Sequence, residues 1–423
     1  MKNEYKQTEL GVIPEDWELR SISSLIGSAE IKEHIDGNHG ELYPRSSEFV
    51  EDGVPYISAT DFATGRVNFN GCKYLTEERC GKFQKGLAKS GDVLFAHNAT
   101  VGPVAFLETD FDYIVLSTTA TLFRTDNNRL LNHFLRYALQ SDCFVKQYQA
   151  VMSQSTRFQV PITTQRKFSI PLPPTIAEQT AIATALSDMD NLIAGLEQLI
   201  EKKKAIKQGA MQELMRPKEG WVVKKLGDVF SFFSTSNYSK AEMSNDGEVG
   251  CIHYGLIHGI ANTNYSLSNG VKYYVTNEQA KYEKIQDGDV VMVDASEDLV
   301  GLNKSIEISD VGDKQYIAGL HTFHLRDENN FFVKKFRGLI LNSTYIKNQM
   351  LRLAVGMKVF GVSKPQLQQV LLPLPPIDVQ LEISNILSNM DNEIMLLEEN
   401  SEKCKLLKQG MMQELLTGKT RLV

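Results

Sequence analysis

The sequence predicts a mixed α/β (α+β) fold: two tandem globular domains joined by two long helices packed as an antiparallel coiled coil, with a pseudo-two-fold internal repeat. Three observations predict it. The chain repeats itself after about 200 residues, each copy ends in a proline-free heptad stripe, and the rest holds short apolar runs bounded by turn residues. A chain of 423 residues is long enough for two or three domains.

The internal repeat is strongest in two blocks near the end of each copy. Residues 182–194 match residues 383–395, and KQGAMQELM at 207–215 matches KQGMMQELL at 408–416, both at an offset of 201 residues. PLPP precedes both copies, at 171–174 and 373–376. Weaker anchors keep the same order: Trp17 and Trp221, Gly91-Asp92-Val93 and Gly288-Asp289-Val290, Arg124 and Arg326. These matches predict domains at 1–174 and 216–376, and helical segments at 175–215 and 377–423.

Each helical segment is predicted from its proline pattern and its heptads. PLPP supplies an extended approach, and no proline follows for about 40 residues. The apolar positions step by four and three, at Ile383, Leu387, Met390, Ile394, Leu397, Ser401 and Cys404, and at Ile182, Leu186, Met189, Ile193, Leu196, Ile200 and Lys203. One helix alone would leave this stripe in water, so we expect the two to pack on each other. The alternative is that each stripe is buried against its own domain.

The two globular domains show a different pattern. Apolar runs such as 54–58, 92–97, 119–123 and 289–293 predict strands. Helical patterns at Asn132–Gln149 and Lys334–Leu353 interrupt them. Each domain is therefore predicted to be mixed α and β.

Charge, cysteines and hydropathy limit the class of protein. The net charge of −7 comes from the helical segments, which carry −2 over residues 175–215 and −5 over residues 377–417. Any phosphate-binding face must therefore be a local patch on a nearly neutral domain. Five cysteines without a CxxC pair predict reduced residues and no metal site. The polar N-terminus and the lack of a long apolar run predict a cytoplasmic protein that does not contact a membrane.

Catalytic motifs are the next test, and the sequence lacks the usual ones. It has no GxxxxGK[ST] loop, no GxGxxG after a strand, and no Asn-Pro-Pro or Asp-Pro-Pro before an aromatic residue. The best nuclease fragment, Glu30-Ile31-Lys32, is common by chance. A self-contained methyltransferase or nuclease is therefore disfavoured.

Several segments carry a resemblance to a known family. TELGVIPEDWEL at 8–19 resembles the opening of type I restriction–modification specificity subunits. PLPPTIAEQTAIATALSDMDNLI, its partner PLPPIDVQLEISNILSNMDNEI and the two KQG-x-MQEL endings resemble that family's repeated regions. The second copy departs from the family's Glu-Gln pair after Pro-Pro, because it has Val379-Gln380.

The resemblance implies a non-catalytic, DNA-binding function. Each domain would be a target recognition domain that reads one half of an asymmetric bipartite site in double-stranded DNA. The coiled coil would set the spacer and dock two methyltransferase subunits, with restriction/translocase subunits joining the complex. No cofactor is expected on this chain, since S-adenosylmethionine, ATP and Mg would bind to the partner subunits. The alternative is a non-catalytic coiled-coil scaffold whose globular ends bind proteins.

Candidate contact residues follow from the chemistry of base readout, which uses polar side chains on loops with aromatics at the margin. Arg157 and Lys358 are favoured, because both lie in polar stretches just ahead of a PLPP segment that the resemblance places near the duplex. The DNA candidates of the first domain are Tyr43, Arg45, His97, Asn98, Thr100, Gln154, Ser155, Thr156 and Arg157. Those of the second are Ser236, Asn237, His253, Tyr254, Asp294, Ser296, Lys304, Lys358 and Lys364. The repeated helix positions Asp190, Asn191, Asp391 and Asn392 are candidates for docking the methyltransferase subunits.

Overall fold

A computed structural model describes residues 4–153, 158–260, 262–298, 301–356 and 358–422. The chain forms two compact units. The first comprises Met1–Leu196 with Asn400–Val423, and the second comprises Glu197–Glu399. Each unit therefore holds one globular domain and about half of each long helix, so the compact units divide the helices rather than separate them from the domains.

The first unit contains short strands around a buried aromatic core. Its helices are α1 Ile22–Gly27, α2 Glu77–Cys80, α3 Asn132–Ala138, α4 Asp142–Met152, α5 Ile162–Gln165 and the first long helix, α6 Ile176–Leu214, with 3₁₀ turns at Gly40–Leu42, Ser46–Glu48 and Ala59–Phe62. Its strands are β1 Tyr5–Thr8, β2 Gly11–Pro14, β3 Glu18–Ser21, β4 Ile31–Asp36, β5 Phe49–Val50, β6 Val54–Ile57, β7 Lys73–Leu75, β8 Leu87–Ala88, β9 Val93–Asn98, β10 Thr100–Phe106, β11 Ile114–Leu116, β12 Ala120–Thr125 and β13 Ser169–Leu172.

The second unit is built from comparable elements. Its helices are α7 Leu226–Val229, α8 Tyr254–Gly259, α9 Phe336–Leu341, α10 Thr344–Leu353, α11 Lys364–Gln368 and the second long helix, α12 Ile377–Leu415, with 3₁₀ turns at Lys240–Glu242 and Leu267–Asn269. Its strands are β14 Val222–Lys225, β15 Ser231–Phe233, β16 Val249–Ile252, β17 Asn264–Ser266, β18 Tyr273–Val275, β19 Val290–Val293, β20 Ala295–Ser296, β21 Ser305–Ser309, β22 Gln315–Ala318, β23 Thr322–Arg326, β24 Phe360–Gly361 and β25 Leu371–Leu374.

Sheet topology confirms the internal repeat. The main sheet of the first unit is antiparallel and runs β10-β9-β12-β4. That of the second runs β17-β21-β19-β23-β15 and is antiparallel except for the parallel pair of β17 and β21. In each unit a second sheet contains a parallel pair, β6 with β11 and β16 with β22. The PLPP segment also enters a strand in both units, since β13 pairs with β3 and β25 pairs with β14. The predicted strands at 54–58, 92–97, 119–123 and 289–293 are present as β6, β9, β12 and β19.

The repeated Gly-Asp-Val and Arg anchors are buried ion pairs that fix the central strand of each unit. Arg124 Nε and Nη2 donate to the two oxygens of Asp92 at 2.8 and 2.7 Å, and Arg326 makes the same pair of bonds to Asp289 at 2.8 Å each. Burial would raise the pKa of Asp289, but the hydrogen bonds from Arg326 and His324 outweigh it and hold the pKa below its usual value. The pairs of Asp92 with Arg124 and of Asp289 with Arg326 therefore have a structural role.

A buried glutamine fixes the start of each long helix. Gln179 Nε2 donates to the carbonyl of Arg129 at 2.9 Å, and its Oε1 accepts from the amide of Leu131 at 2.8 Å. Gln380 makes the equivalent bonds to Phe331 and Val333, both at 3.0 Å. Both glutamine side chains are almost fully buried, so they tie each helix to the loop before the domain's helical pair.

Within each unit the two long helices run antiparallel, and their heptad stripes are buried or half-buried. In the first unit, Ile182 and Leu186 belong to the same apolar cluster as Leu415 and as the domain core around Trp17. In the second unit, Ile383 and Leu387 cluster with Met215 and the core of that domain, and Met211 packs against them. The stripes therefore pack on the other helix and on their own domain at once, which combines the two arrangements that the sequence left open.

The helical patterns at Asn132–Gln149 and Lys334–Leu353 are present, and each forms two short helices. The break lies at Ser141 and Ser343, whose side chains cap α4 and α10 by accepting from Phe144 N and Ile346 N. None of the helices among the described residues is long and apolar enough to cross a membrane.

Candidate nucleic-acid interface

The first domain places three predicted residues at one end of its central strand. β9 ends at Asn98, and β10 begins at Thr100 after Ala99, which adopts a positive φ of 64°. A chain segment preceding α5 pairs with this end, since the Val160 amide donates to the His97 carbonyl at 2.8 Å. The Ala99 amide donates in turn to the Phe158 carbonyl at 3.1 Å. The end of the sheet, where the loops begin, therefore carries His97, Asn98 and Thr100.

Accessibility separates these three residues. Thr100 is exposed and Asn98 is half-buried, whereas His97 is only 6% exposed. Burial lowers the pKa of His97, so the imidazole is neutral. Gln154, Ser155, Thr156 and Arg157 lie outside the described residues. Their neighbour Phe158 is 71% exposed, and sequence reasoning missed it because an aromatic in an apolar-poor loop gives no periodic signal.

Tyr43 and Arg45 occupy a different loop of the first domain. Tyr43 is about half exposed, and Arg45 is exposed between two 3₁₀ turns. The Arg45 amide donates to Glu48 Oε2 at 2.6 Å, and Arg79 Nε donates to Glu48 Oε1 at 2.6 Å. The Tyr43 side chain also interacts with that of Tyr56 on β6. Both Tyr43 and Arg45 keep exposed surface that a ligand could reach.

In the second domain, as in the first, a later chain segment pairs with the chain at the end of the central strand, and we call this paired region the ribbon. β20 pairs with β24, so that Ser296 lies opposite Phe360. The Val362 amide donates to the Asp294 carbonyl at 3.1 Å, as Val160 does to His97. Lys358 is exposed just before β24. The structure therefore brings Asp294, Ser296 and Lys358 together, although the Ser296 side chain is buried.

Lys364 lies directly beyond this ribbon. It begins α11 and is exposed, and its Nζ stands 5.4 Å from the centre of the Phe232 ring. A cation at this place can reach a phosphate while its stem covers an aromatic face.

A group of aromatic and basic side chains surrounds Tyr254. The His253 ring lies 4.3 Å from that of Tyr254 and the His321 ring 5.6 Å away, with Lys240 Nζ 6.0 Å from the Tyr254 ring centre. Lys304 Nζ donates to the His258 carbonyl at 2.9 Å. Tyr254 and Lys304 are half-buried. Sequence reasoning missed Lys240 and His321 because only the fold brings them beside Tyr254.

His253 itself has a structural contact. Its Nδ1 accepts from the Gly255 amide at 3.2 Å and so caps α8. Burial, with the nearby Lys240 and His321, lowers its pKa to about 4, and the ring is therefore neutral at pH 7. Ser236 is also buried, 3.8 Å from Cys251 Sγ, while the adjacent Asn237 is exposed. In this structure Asn237 and Tyr254 present more surface to a ligand than Ser236 and His253 do.

The candidate docking residues lie on the long helices, and the aspartates have partners inside their own units. Asp190 accepts from Tyr137 Oη at 2.8 Å and pairs with Lys408 Nζ at 2.6 Å. Asp391 pairs in the same way with Lys207. Asn191 and Asn392 are exposed beside them.

These two ion pairs explain why polar positions match between the copies. Asp190 and Asp391 are repeat equivalents, and so are Lys207 and Lys408. Each aspartate pairs with the lysine of the opposite helix, so the MDN and KQG blocks match because they bind each other. The shared offset of 201 residues was the signal that could have predicted this pairing.

Within the described ranges, no three His, Cys, Asp or Glu side chains are grouped to hold a metal ion. The five cysteines form no disulfide, and all but Cys143 and Cys404 are buried.

Comparison with known proteins gives consistent results. The family model described as type I restriction modification DNA specificity domain matches residues 14–207 and again residues 218–406. The putative type I restriction enzyme MjaX specificity subunit of Methanocaldococcus jannaschii is 25% identical, over 99% of this chain and 97% of its own length. The type I restriction enzyme MjaVIII specificity subunit of the same organism is also 25% identical, over 97% and 94%.

Two solved structures share the fold. A chain from a structure that describes complex assembly and conformational transition of the type I R-M system aligns with a TM-score of 0.61 at 16% identity, covering 96% of this chain and 99% of that one. The type I restriction–modification S subunit from M. genitalium aligns with a TM-score of 0.52 at 16% identity, covering 98% and 99%.

Proposed function

Because this chain belongs to the family of type I restriction modification DNA specificity domains, we propose that it is the non-catalytic subunit that gives a type I restriction–modification complex its DNA sequence specificity. The observation that carries the proposal is the doubled family domain, which matches once in each half of the chain. The specificity subunits of M. jannaschii, which this chain matches over nearly their whole length, support it.

Each globular domain reads one half of a bipartite site in double-stranded DNA. The described residues at the end of the central strand supply polar groups in both domains and, in the second, the exposed Lys358 and Lys364, which suits base edges and phosphates. The two domains differ at these positions, so the half-sites differ. Sequencing of methylated DNA from cells that carry the complete system tests this, and a palindromic motif would contradict it.

The long helices hold the domains at a set spacing and dock two methyltransferase subunits. Asn191 and Asn392 are exposed at equivalent places, beside aspartates that pair with the opposite helix. Replacing Asn191 with Asp should weaken one docking event, and Asn392→Asp the other. Native mass spectrometry at saturating methyltransferase should show two copies with the unchanged chain. One copy at saturation would refute the two-site arrangement.

Catalysis and its cofactors belong to the partners in this proposal. S-adenosylmethionine binds to the methyltransferase subunits, and ATP and Mg bind to restriction/translocase subunits. The complex acts in the cytoplasm, where its DNA substrate lies.

The first test is DNA retention at several salt concentrations, together with co-purification. A chain that binds phosphates through local lysines should lose affinity steeply as salt rises. It should also carry a methyltransferase with it from cells that express both. Weak, salt-insensitive binding without such a partner would instead support a protein-binding scaffold.

A further inference from the structure

The two domains carry different polar side chains at one structurally equivalent position. In the first domain the His97 amide donates to the Thr119 carbonyl at 3.0 Å, and the His97 carbonyl accepts from Val160 at 2.8 Å. In the second domain the Asp294 amide donates to the His321 carbonyl at 3.2 Å, and its carbonyl accepts from Val362 at 3.1 Å. The backbone is therefore the same at both places, and only the side chain differs.

Both side chains retain polar atoms without hydrogen bonds. Neither ring nitrogen of His97 has a hydrogen-bond partner among the described residues. Asp294 Oδ1 is buried and has no hydrogen bond within the same described part, although His321 Nδ1 lies 3.5 Å away. A buried polar atom left without a partner is costly, and its presence at the same position in both repeats indicates a site completed by a ligand.

Asp294 is the more accessible of the two. Its side chain keeps 30% of its surface exposed, while the His97 ring is almost covered. The ribbon that carries Asp294 also carries the exposed Lys358, and Lys364 follows it. These cations can bind phosphates on either side of a base contact and offset the repulsion between DNA and a carboxylate.

Resting on the proposed function, we propose that positions 97 and 294 are equivalent specificity-determining positions, and that Asp294 reads the exocyclic amino group of a cytosine or an adenine in the second half-site. A carboxylate only accepts hydrogen bonds. In the major groove, cytosine N4 and adenine N6 are the donors, whereas guanine and thymine offer acceptors there. Asp294 therefore selects amino-bearing bases and rejects the other two.

His97 gives the first half-site a different rule at the matching position. A neutral imidazole has one donor and one acceptor, so it can serve bases that a carboxylate rejects. The half-sites therefore differ in the chemistry of the base that these two positions meet.

The first experiment compares methylated motifs in cells that express the chain with its partners. Asp294→Asn adds a donor and removes negative charge. We expect it to relax one base position of the second half-site by about tenfold in preference and to leave the first half-site unchanged. Asp313→Asn, in the turn between β21 and β22, makes the same charge change at an exposed acid and should leave both half-sites as they are.

A second experiment uses the unchanged chain with its methyltransferase partner, so it does not depend on the variant folding. Purine replaces adenine, or 2-pyrimidinone replaces cytosine, at one position of the second half-site at a time, which removes single amino groups. One removal should weaken binding by about tenfold and should affect the Asp294→Asn complex less. The position that responds identifies the base as adenine or cytosine.

Three results would overturn the inference. The Asp294→Asn motif could match the original at every position, it could change equally in both half-sites, or every amino removal could weaken both complexes alike. In each of these the original chain still directs a bipartite motif, so the proposed function stands. If the unchanged chain directs no sequence-specific methylation at all, the proposed function fails, and this inference fails with it.

Discussion

The ion pair between Arg421 and Glu178 joins the C-terminal tail to the start of α6 within the first unit. Arg421 Nη2 donates to Glu178 Oε2 at 2.8 Å, and the same guanidinium donates to both oxygens of Asp16 at 3.0 and 3.2 Å. The Glu178 side chain is 1% exposed and that of Arg421 21% exposed. Replacing Arg421 with Ala leaves a buried carboxylate without its cation, which costs about 3 kcal/mol.

The sequence of the second copy indicates a second substitution that should restore the stability of Arg421→Ala. There the equivalents of Glu178 and Arg421 are Val379 and Gly220, so both partners of the pair are absent together. Adding Glu178→Val to Arg421→Ala removes the stranded charge. We expect the double variant to regain about 2 kcal/mol, because replacing both partners of a buried pair is often nearly neutral.

The assay is urea denaturation followed by the fluorescence of Trp17, which is buried in this unit, in a Trp221→Phe background. Lys419→Ala, an exposed change in the same tail, should cost less than about 0.5 kcal/mol. The reasoning is refuted if Arg421→Ala costs less than about 1 kcal/mol, or if the double variant is no more stable than the single one.

Three further predictions concern the core, pH and the helices. Leu186→Ala should lower the free energy of unfolding by about 2–4 kcal/mol in denaturant titrations, because Leu186 is fully buried. Leu192 is 50% exposed, so Leu192→Ala should change the free energy of unfolding by less than about 0.5 kcal/mol. Burial lowers the pKa of His34 to about 4 in the folded chain, despite its hydrogen bond to Gln165. In the unfolded chain the pKa is about 6.5, so between pH 6.5 and 4 the unfolded chain binds the proton and the folded chain does not. Stability should therefore fall by about 3 kcal/mol between pH 6.5 and 4, and His34→Asn should flatten this slope in pH-dependent unfolding. Inserting four residues after Leu196 and at its equivalent in α12 adds about 6 Å of helix and should lengthen the spacer of the methylated motif by about one or two base pairs. An unchanged spacer would show that the helices do not set the spacing. Two-residue insertions should prevent assembly, because they turn the heptad stripe away from its partner.

The repeat made much of the fold predictable from the sequence. Matching Gly-Asp-Val and Arg blocks marked the central strands, and the PLPP segments marked the starts of the long helices. Gln179 and Gln380 were visible as matched residues, but their bonds to the carbonyls of Arg129 and Phe331 required the tertiary structure. Local pattern thus predicted the elements, because periodicity and turn chemistry act over a few residues.

The site was less predictable, because polarity in a loop does not reveal which way a side chain points. His253 and Ser236 resemble readout residues in the sequence, yet one caps a helix and both are buried. Lys240 and His321 come beside Tyr254 only through long-range packing. Asn191 and Asn392 on the long helices are exposed, whereas Asp190 has an internal partner, which the sequence alone did not reveal.

Side-chain partners within a unit also limit the positions at which the sequences of the two copies can differ. A residue bonded inside its own unit, such as Asp92 to Arg124, can change only if its partner changes with it, and the second copy keeps the same pair. The second copy has neither Glu178 nor Arg421 at the equivalent positions, which avoids the cost of a lone buried charge. Positions 97 and 294 carry polar atoms with no such hydrogen bonds among the described residues. Among the described residues, His321 lies 3.5 Å from Asp294 but forms no hydrogen bond with its buried oxygen. Substitution at these positions therefore breaks no such hydrogen bond, so these are the positions at which one scaffold can acquire two different specificities.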